Sequence, residues 1–427
     1  MTDASLRKSV LVVGDDMRIF ISVVRSLGRA GIDVHVFPFA ATSVALASRF
    51  ISQVHRAPDF EEDHNGWSRA LVALLIERTF DLVIPCADAA IMVLHGNLAL
   101  FPHQRLAIPG NDAIEKLFDK ERTHELCNKL GIPTAPWRRL QETDTDEELI
   151  ELFGFPLVVK PRRSHWVDSG RSREKVHIIE GRRELLQCLS AISDKSSFLV
   201  EGFFEGSGTG LSVLCNGGAV LQAFQHRRLR EGRGGCSSYR ISETINMELR
   251  RAAELICLNM GHSGVCMFEF RINPHSGKWI LLEVNARFWG SMPLPLSLGI
   301  DYPKLLFDLL VEGKQSDQKA YAVGVRSRNI LLDANNLLKL LRQGGSGGFY
   351  GWFREAADFA VQPLRWIAGR ETADSFSMTD MKPALRELLH AVKVLTRPIS
   401  RKIETSSLVS LAKRCLEKAT SGAERRV

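Results

Sequence analysis

Residues 9–13 (SVLVV) form an unbroken apolar run of strand length, followed by GDDMR and then by apolar positions at helical spacing through Leu27. IDVHVFPF (32–39) and DLVIP (81–85) are two further strand-like runs. Strands alternating with helical stretches over the first hundred residues predict an open, doubly wound parallel sheet. The first turn holds a lone Gly14 and no GxGxxG fingerprint. The sheet therefore reads as a scaffold with a substrate-facing crevice at its strand ends. Asp15, Asp16 and Asp88, which follow strands, are candidates for that crevice and equally for helix N-caps.

A second unit starts near Asn111. NDAIEKLFDKERTHELCNKLGIP reads as one helix with Asn111 or Asp112 as N-cap, ending at Gly131 with Pro133 beyond it. Strand patterns follow at 155–161 (FPLVVKP), 196–204 (SSFLVEGFF) and 209–229, then a helix over 247–260. VCMFEFRI and KWILLEVNAR form a hairpin around NPHSGK, whose Asn, Pro and Gly suit a turn. From about Lys314 the pattern becomes amphipathic helix, with QGGSGG (343–348) as a flexible joint.

Composition narrows the class. With 427 residues, 45% hydrophobic and 25% charged, the chain has room for two or three ordinary soluble domains. Eight cysteines are scattered without a CxxC pair, the pattern of reduced thiols and not of a disulfide framework or zinc site. The N-terminus lacks a secretory pattern, and no run of about eighteen apolar residues suits a membrane span, so a cytoplasmic location is expected. Of the net charge of +7, residues 397–427 carry +5. The excess is thus a basic tail, a solvated helix or one that adheres to an anionic membrane surface, and no nucleic-acid partner is expected.

The hairpin carries the most chemistry. With Ile272 facing Lys278, one face is Cys266, Phe268, Phe270, Ile280, Leu282 and Val284, and the other carries Glu269, Arg271, Glu283 and Asn285. Two adjacent carboxylates repel unless something positive sits between them. With an amide oxygen they are hard ligands suited to magnesium or manganese, against the alternative of a solvated outer face. Arg287 continues the same face, a cation beside a site of phosphoryl chemistry. Lys160 ends a buried-type strand and requires an anion, either a nucleotide phosphate or a structural Glu. Lys120 reads as a solvated helix lysine. FLVEGFFEGSGTGLSVL is a strand that ends in Glu201 and loosens into Gly-rich backbone, where unpaired main chain can bind an adenine edge, or is an ordinary interstrand loop.

In order along the chain, KLFDKERTHELCNKLGIPTAP, FPLVVKP, FLVEGFF and FEF…LLEVNARFWGS resemble the ATP-grasp superfamily, and within it the carbamoyl-phosphate-synthase-like and D-aspartate-ligase-like carboxylate–amine ligases. The resemblance covers roughly residues 8–312 and is strongest between 111 and 299. It implies an α/β ATP-grasp fold: a doubly wound, Rossmann-like pre-ATP-grasp domain (1–110), an ATP-grasp domain (111–313, lid about 135–203) and a mostly helical C-terminal region (314–427). It implies ATP and Mg2+ or Mn2+ as cofactors, with Lys120 and Lys160 on the phosphates and Glu201 with the Phe203–Phe204 backbone on the adenine. Glu269, Glu283 and Asn285 would hold the metal, and Arg287 with Lys160 would act on the transferring phosphoryl group. The implied reaction phosphorylates a small-molecule carboxylate to an acyl-phosphate, which an amine then attacks; a dimer is compatible with it. The alternative is a catalytically silent ATP-binding scaffold or sensor, membrane-peripheral through its basic tail.

This chain departs from the family in two places. GSGTG stands where many relatives carry a ribose-gripping Glu, and the lid segment PRRSHWVDSGRSREK is short of glycine, with Ser169, Gly170 and Arg171 at its tip. The basic segment 225–240 borders the implied site. His226, Arg228 and Arg240 in it are candidates for an acidic substrate or phosphate, or members of a solvated hairpin.

Overall fold

The structure is a computed structural model describing residues 7–163, 176–231, 237–343 and 348–404. Four parallel strands, β1 (Ser9–Val13), β2 (Asp33–Phe37), β3 (Gln53–Val54) and β4 (Leu82–Pro85), form the first sheet in the order β3-β2-β1-β4. Period-2 alternation sends Val10, Val12, Val34 and Val36 to one face, against Phe20, Val23 and Leu27 of α1 (Ile19–Arg29). Leu11, Val13, Phe37 and Val83 pack on the other face against Trp67 and Leu71 of α2 (His64–Glu77) and Leu94 of α3 (Asp88–Gly96). The doubly wound expectation is met in this sheet.

The stretch expected as one helix is two, α4 (Asn111–Leu117) and α5 (Lys120–Leu130). The break lies at Asp119, whose backbone is extended and whose carboxylate accepts from the amide of Glu121 as a new N-cap. Neither Asn111 nor Asp112 caps α4; Gly110 holds that position. Gly131 ends α5 in the left-handed region, as expected.

A small antiparallel sheet follows, built from β5 (Trp137–Arg139), β6 (Leu157–Pro161), β7 (His177–Ile179) and β8 (Phe198–Gly202) in the order β5-β8-β6-β7. With α6 (Asp146–Phe153) and α7 (Arg182–Ala191) it encloses a separate core of Leu149, Leu157, Val159, Leu185 and Val200.

The third sheet holds seven strands: β9 (Ser207–Asn216), β10 (Ala219–Glu231), β11 (Ser237–Glu243), β12 (Gly264–Ile272), β13 (Trp279–Asn285), β14 (Arg326–Arg328) and β15 (Glu371–Ala373), in the order β13-β12-β9-β10-β11-β14-β15. On one face, Leu211, Val213, Cys266, Phe268 and Phe270 pack with Leu249, Ala253 and Ile256 of α8 (Met247–Asn259). On the other, Leu214, Phe224, Val265 and Met267 join the core of the first sheet, together with residues of α9 (Pro293–Ser297) and α10 (Tyr302–Glu312). One continuous core thus fastens the first sheet to the third.

Among the described residues beyond 314 the helices are α11 (Ile330–Gln343), α12 (Gly348–Ala360), α13 (Gln362–Ile367) and α14 (Lys382–Glu404). The expected Gly-rich joint falls mostly outside the described residues, as do Ser169, Gly170 and Arg171 and the tail beyond residue 404. The segment also contributes β14 and β15, two strands that hydrophobic periodicity did not announce. They are RSR and ETA, and charge carries them into the interior. Arg328 is fully buried, bonded to Asp333 at 2.6 Å and Glu371 at 2.7 Å, with its guanidinium 3.7 Å from the Tyr239 ring centroid. Arg240 is paired to Asp374 at 2.5 Å beside it in the sheet.

No helix among the described residues is long and apolar enough to cross a membrane. Removing one partner of a buried ion pair leaves the others uncompensated and costs about 3–5 kcal/mol. Arg328→Met is therefore expected to lower the unfolding free energy by about that amount, read by denaturant titration. A loss below about 1 kcal/mol would show that the cluster does not hold the C-terminal strands in place.

Candidate functional site

The site is built on the β12–β13 hairpin. The chain turns within Asn273–Lys278: the Asn273 amide donates to the Lys278 carbonyl at 2.9 Å, and Gly277 takes a φ of 70°. Ile272 consequently faces Trp279, one residue on from the expected Lys278. Phe270 faces Leu281, and a bulge at Leu282 then shifts the register so that Glu269 faces Glu283 directly. Leu281, not Leu282, joins Phe268, Phe270 and Val284 in the core beneath. The bulge converts the expected diagonal proximity of the two carboxylates into a cross-strand pair. Asn285 stands two residues further on and donates to Glu283 Oε1 at 3.1 Å.

Across the sheet, β9 presents Gly210 opposite Glu269 and Gly208 opposite Arg271. The GSGTG stretch is therefore strand from Ser207 onward, not the loosened loop expected. Its glycines serve close approach: a Cβ at Gly210 would lie 2.2 Å from His226 Cε1, and one at Gly208 would lie 2.8 Å from Arg228 Cδ. His226 and Arg228 of β10 lie over these gaps, and Arg228 Nη2 reaches Glu269 Oε2 at 2.5 Å. The solvated-hairpin reading fails here, since His226 is 1% exposed, Arg240 is fully buried and the Arg228 side chain is 8% exposed. Arg240 is committed to Asp374 and the hydroxyl of Ser327, so of the three candidates Arg228 is the one bonded to Glu269, and His226 lies over Gly210.

Cations converge from other elements. Lys160, near the end of β6, bonds Glu201 Oε1 of β8 at 2.6 Å, and its Nζ lies 3.5 Å from the Leu282 carbonyl at the bulge. His124 of α5 bonds the same Glu201 oxygen at 2.6 Å. Of the two alternatives for Lys160, the structure shows the structural Glu, and that Glu is the residue expected on the adenine side. Lys120 is not solvated: the break at Asp119 sets it at the start of α5, 8% exposed, where its amide donates to the Arg162 carbonyl. Arg287 forms a two-point ion pair with Asp88 of α3, with Nη2 at 3.2 Å from Oδ2. Asp88, Lys120, Glu283 and Asn285 line one open pocket. Among the described residues, the main chain of Phe203 and Phe204, just past β8, makes no backbone hydrogen bond.

The electrostatics follow from this crowding. Burial opposes ionisation of Glu283, but Lys120, the Asn285 amide, Lys160 and Arg287 outweigh it and hold the carboxyl below its ordinary value. Burial raises Glu269, Arg228 opposes that rise, and the Glu283 charge adds to it. Burial lowers Lys120, with Glu283 pulling the other way. For Glu201, burial is overcome by Lys160 and His124, and the carboxyl falls to about 2. The donor set thus suits a hard divalent cation: two opposed carboxylates with an adjacent amide, one carboxylate short of positive charge. Anionic phosphate oxygens are the natural counterpart of the three cations around them.

Two contributors were missed or only half seen. His124 lies four residues after Lys120 on the same helix face, a spacing that could have flagged it. Asp88, by sequence a cap or crevice candidate, sits in the first turn of α3, after the N-cap Ala87, and faces Arg287. Arg18 holds the N-cap position of α1; Asp16, two residues before it, accepts from the amides of Arg18, Ile19 and Phe20, and Asp15 accepts from Ala40.

Comparison with known proteins agrees with this architecture. Residues 234–299 match the family model of the carbamoyl-phosphate synthase L chain, ATP binding domain. The structure superimposes on N5-carboxyaminoimidazole synthetase from Staphylococcus aureus, complexed with ADP, with a TM-score of 0.57 at 17% identity over 74% of this chain and 81% of that one. The fold is ATP-grasp. An L-amino acid ligase from Bacillus licheniformis shares the ATP-grasp arrangement, with a TM-score of 0.55 at 20% identity, covering 73% and 75% of the two chains. In sequence, the carbamoyl phosphate synthase large chain of Methanothermobacter thermautotrophicus is 24% identical over 251 residues, which is 56% of this chain. That match spans only 22% of the relative's length. The family-model match takes in Glu269, Glu283, Asn285 and Arg287, and leaves Lys120, Lys160 and Glu201 to the fold.

Because Glu201 ionises at about 2 when folded, against an ordinary 4.5, its contribution to stability is complete above pH 4.5 and is lost as pH falls toward 2. Glu201→Gln should cost on the order of 3 kcal/mol near neutral pH and flatten the acid limb of the unfolding profile in that window. An acid limb as steep as the parent's would show that the Lys160–Glu201–His124 contact contributes nothing to folding.

Proposed function

We propose that this chain is an ATP- and magnesium-dependent ligase that activates a carboxylate as an acyl-phosphate and joins it to an amine. The observation that carries the reading is the opposed Glu269–Glu283 pair, bulged into register and closed in by Lys120, Lys160 and Arg287. Residues 1–110 would supply the acceptor crevice, 111–313 the nucleotide machinery, and 314–427 a region buttressing the third sheet. The relatives' names support the class: a synthase, an ADP-bound synthetase and an amino acid ligase.

In this reading Lys120 and Lys160 neutralise the phosphates, and the bare main chain at Phe203–Phe204 receives the adenine edge with Glu201 beneath it. Glu269, Glu283 and Asn285 would hold magnesium, which when bound takes up charge on the phosphate oxygens. Arg287, fixed in orientation by Asp88, faces the transferring phosphoryl group. A carboxylate oxygen of the substrate attacks the γ-phosphorus and ADP leaves. The amine then attacks the acyl carbon, loses a proton, and expels inorganic phosphate. Low solvent access around the pair protects the mixed anhydride from water.

ADP release should appear only when both a carboxylate and an amine are supplied from a panel of amino acids and small acids, with the ligated product identified by mass spectrometry. Tight ATP binding with no turnover across the panel would favour the silent nucleotide sensor. Glu283→Gln should reduce ADP formation by about a hundredfold or more while the thermal unfolding curve stays cooperative. Retained turnover in that variant would remove Glu283 from the metal set.

A further inference from the structure

Helix α14 has three faces. Pro383 is buried, while Ala384, Glu387 and Ala391 are partly covered where the helix packs on the short turn Val44–Ala47. At 100° per residue, Leu385, Leu388, Leu389 and Val392 share a second face, and they are 57, 49, 53 and 49% exposed. Lys382, Arg386 and Lys393 are exposed on the flank beside that apolar stripe. In the sequence the apolar spacing runs on through Leu395, Ile399 and Ile403.

The start of the helix is held firmly. Asp380 is 3% exposed and accepts from Arg25 Nε at 2.9 Å, the Ser48 hydroxyl at 2.7 Å and the Arg49 amide at 3.0 Å. The outward direction of the apolar stripe is therefore set by the fold. Large apolar side chains are exposed on α13 and on the loop before α14 as well. Leu364 is 68% exposed, Ile367 85% and Met378 74%, and Trp366 packs on Phe376 at 4.9 Å between centroids.

Charge identifies the occupant. Residues 382–427 hold eleven Lys/Arg and four Glu, a net +7 equal to that of the whole chain, so the preceding 381 residues balance at zero. A second copy docking through this face would oppose two such segments. An anionic bilayer satisfies both requirements: headgroups take the basic flank and the acyl boundary takes the leucine stripe. We propose that α14 is an interfacial helix that lays this chain on an anionic lipid surface, along it and not across it. The site thereby works at the membrane, with the sheets held above the lipid through Asp380. This inference does not depend on the ligase reading.

The test is flotation of the full chain with vesicles of phosphatidylcholine alone and of phosphatidylcholine carrying about 30% phosphatidylglycerol. Binding is expected only to the anionic vesicles and should fall as salt is raised. The double substitution Leu388→Glu with Leu389→Glu, and separately Lys382→Glu with Arg386→Glu, should each lower the bound fraction about tenfold, with melting temperature and elution volume unchanged. Equal binding to neutral vesicles, no binding to either, or anionic binding insensitive to the Leu388/Leu389 change would overturn the proposal. So would a dimer that dissociates on that change, because the face would then belong to a second copy.

Discussion

Two half-buried carboxylates on neighbouring strands repel, and the arrangement around Glu269 and Glu283 can be traced to offsetting that repulsion. The bulge at Leu282 forces them face to face, so positive charge has to come from elements far away in sequence. Arg228 reaches over the Gly208 and Gly210 gaps to Glu269, while Lys120, Lys160 and Arg287 act on Glu283. Each cation is in turn fixed by its own element: a broken helix, a strand end, an ion pair to Asp88 of α3. The second and third sheets, α5 and, through Asp88, α3 each supply part of what this pair requires.

That dependence explains features that look unrelated. Gly208 and Gly210 sit within a strand because side chains from β10 occupy the space a Cβ would need. Asp119 interrupts a helical run because the new N-terminus brings Lys120 to the pocket. The Arg240–Asp374 and Arg328–Asp333–Glu371 contacts brace the far edge of the same sheet, two residues along β10 from Arg228 at Arg230, which also reaches Asp333. The C-terminal segment is thus joined to the site through a strand, not through a loop.

Much of this was legible in order along the chain. Apolar runs fixed the parallel sheet, and alternation along 264–272 and 279–285 put Glu269, Glu283 and Asn285 on a common polar face. Pattern reading failed where burial is driven by charge. RSR and ETA carry no hydrophobic period, because their interior positions are satisfied by ion pairs that sequence spacing does not display. Lys120 and His226 likewise read as solvated until the elements around them closed.

The sequence by itself determined the strands of the first sheet and of the hairpin, which face of those strands is apolar, and which polar residues a fold of this kind gathers together. Local periodicity and turn chemistry act over a few residues and are readable there. Only the tertiary structure decided the bulge that pairs Glu269 with Glu283, the sharing of Glu201 between Lys160 and His124, and the diversion of Arg240 to Asp374. Those outcomes depend on partners between 14 and 134 positions apart. Which of several neighbouring charges a buried cation meets is set by how the sheets pack, because in the interior each charge binds the partner that geometry brings within reach.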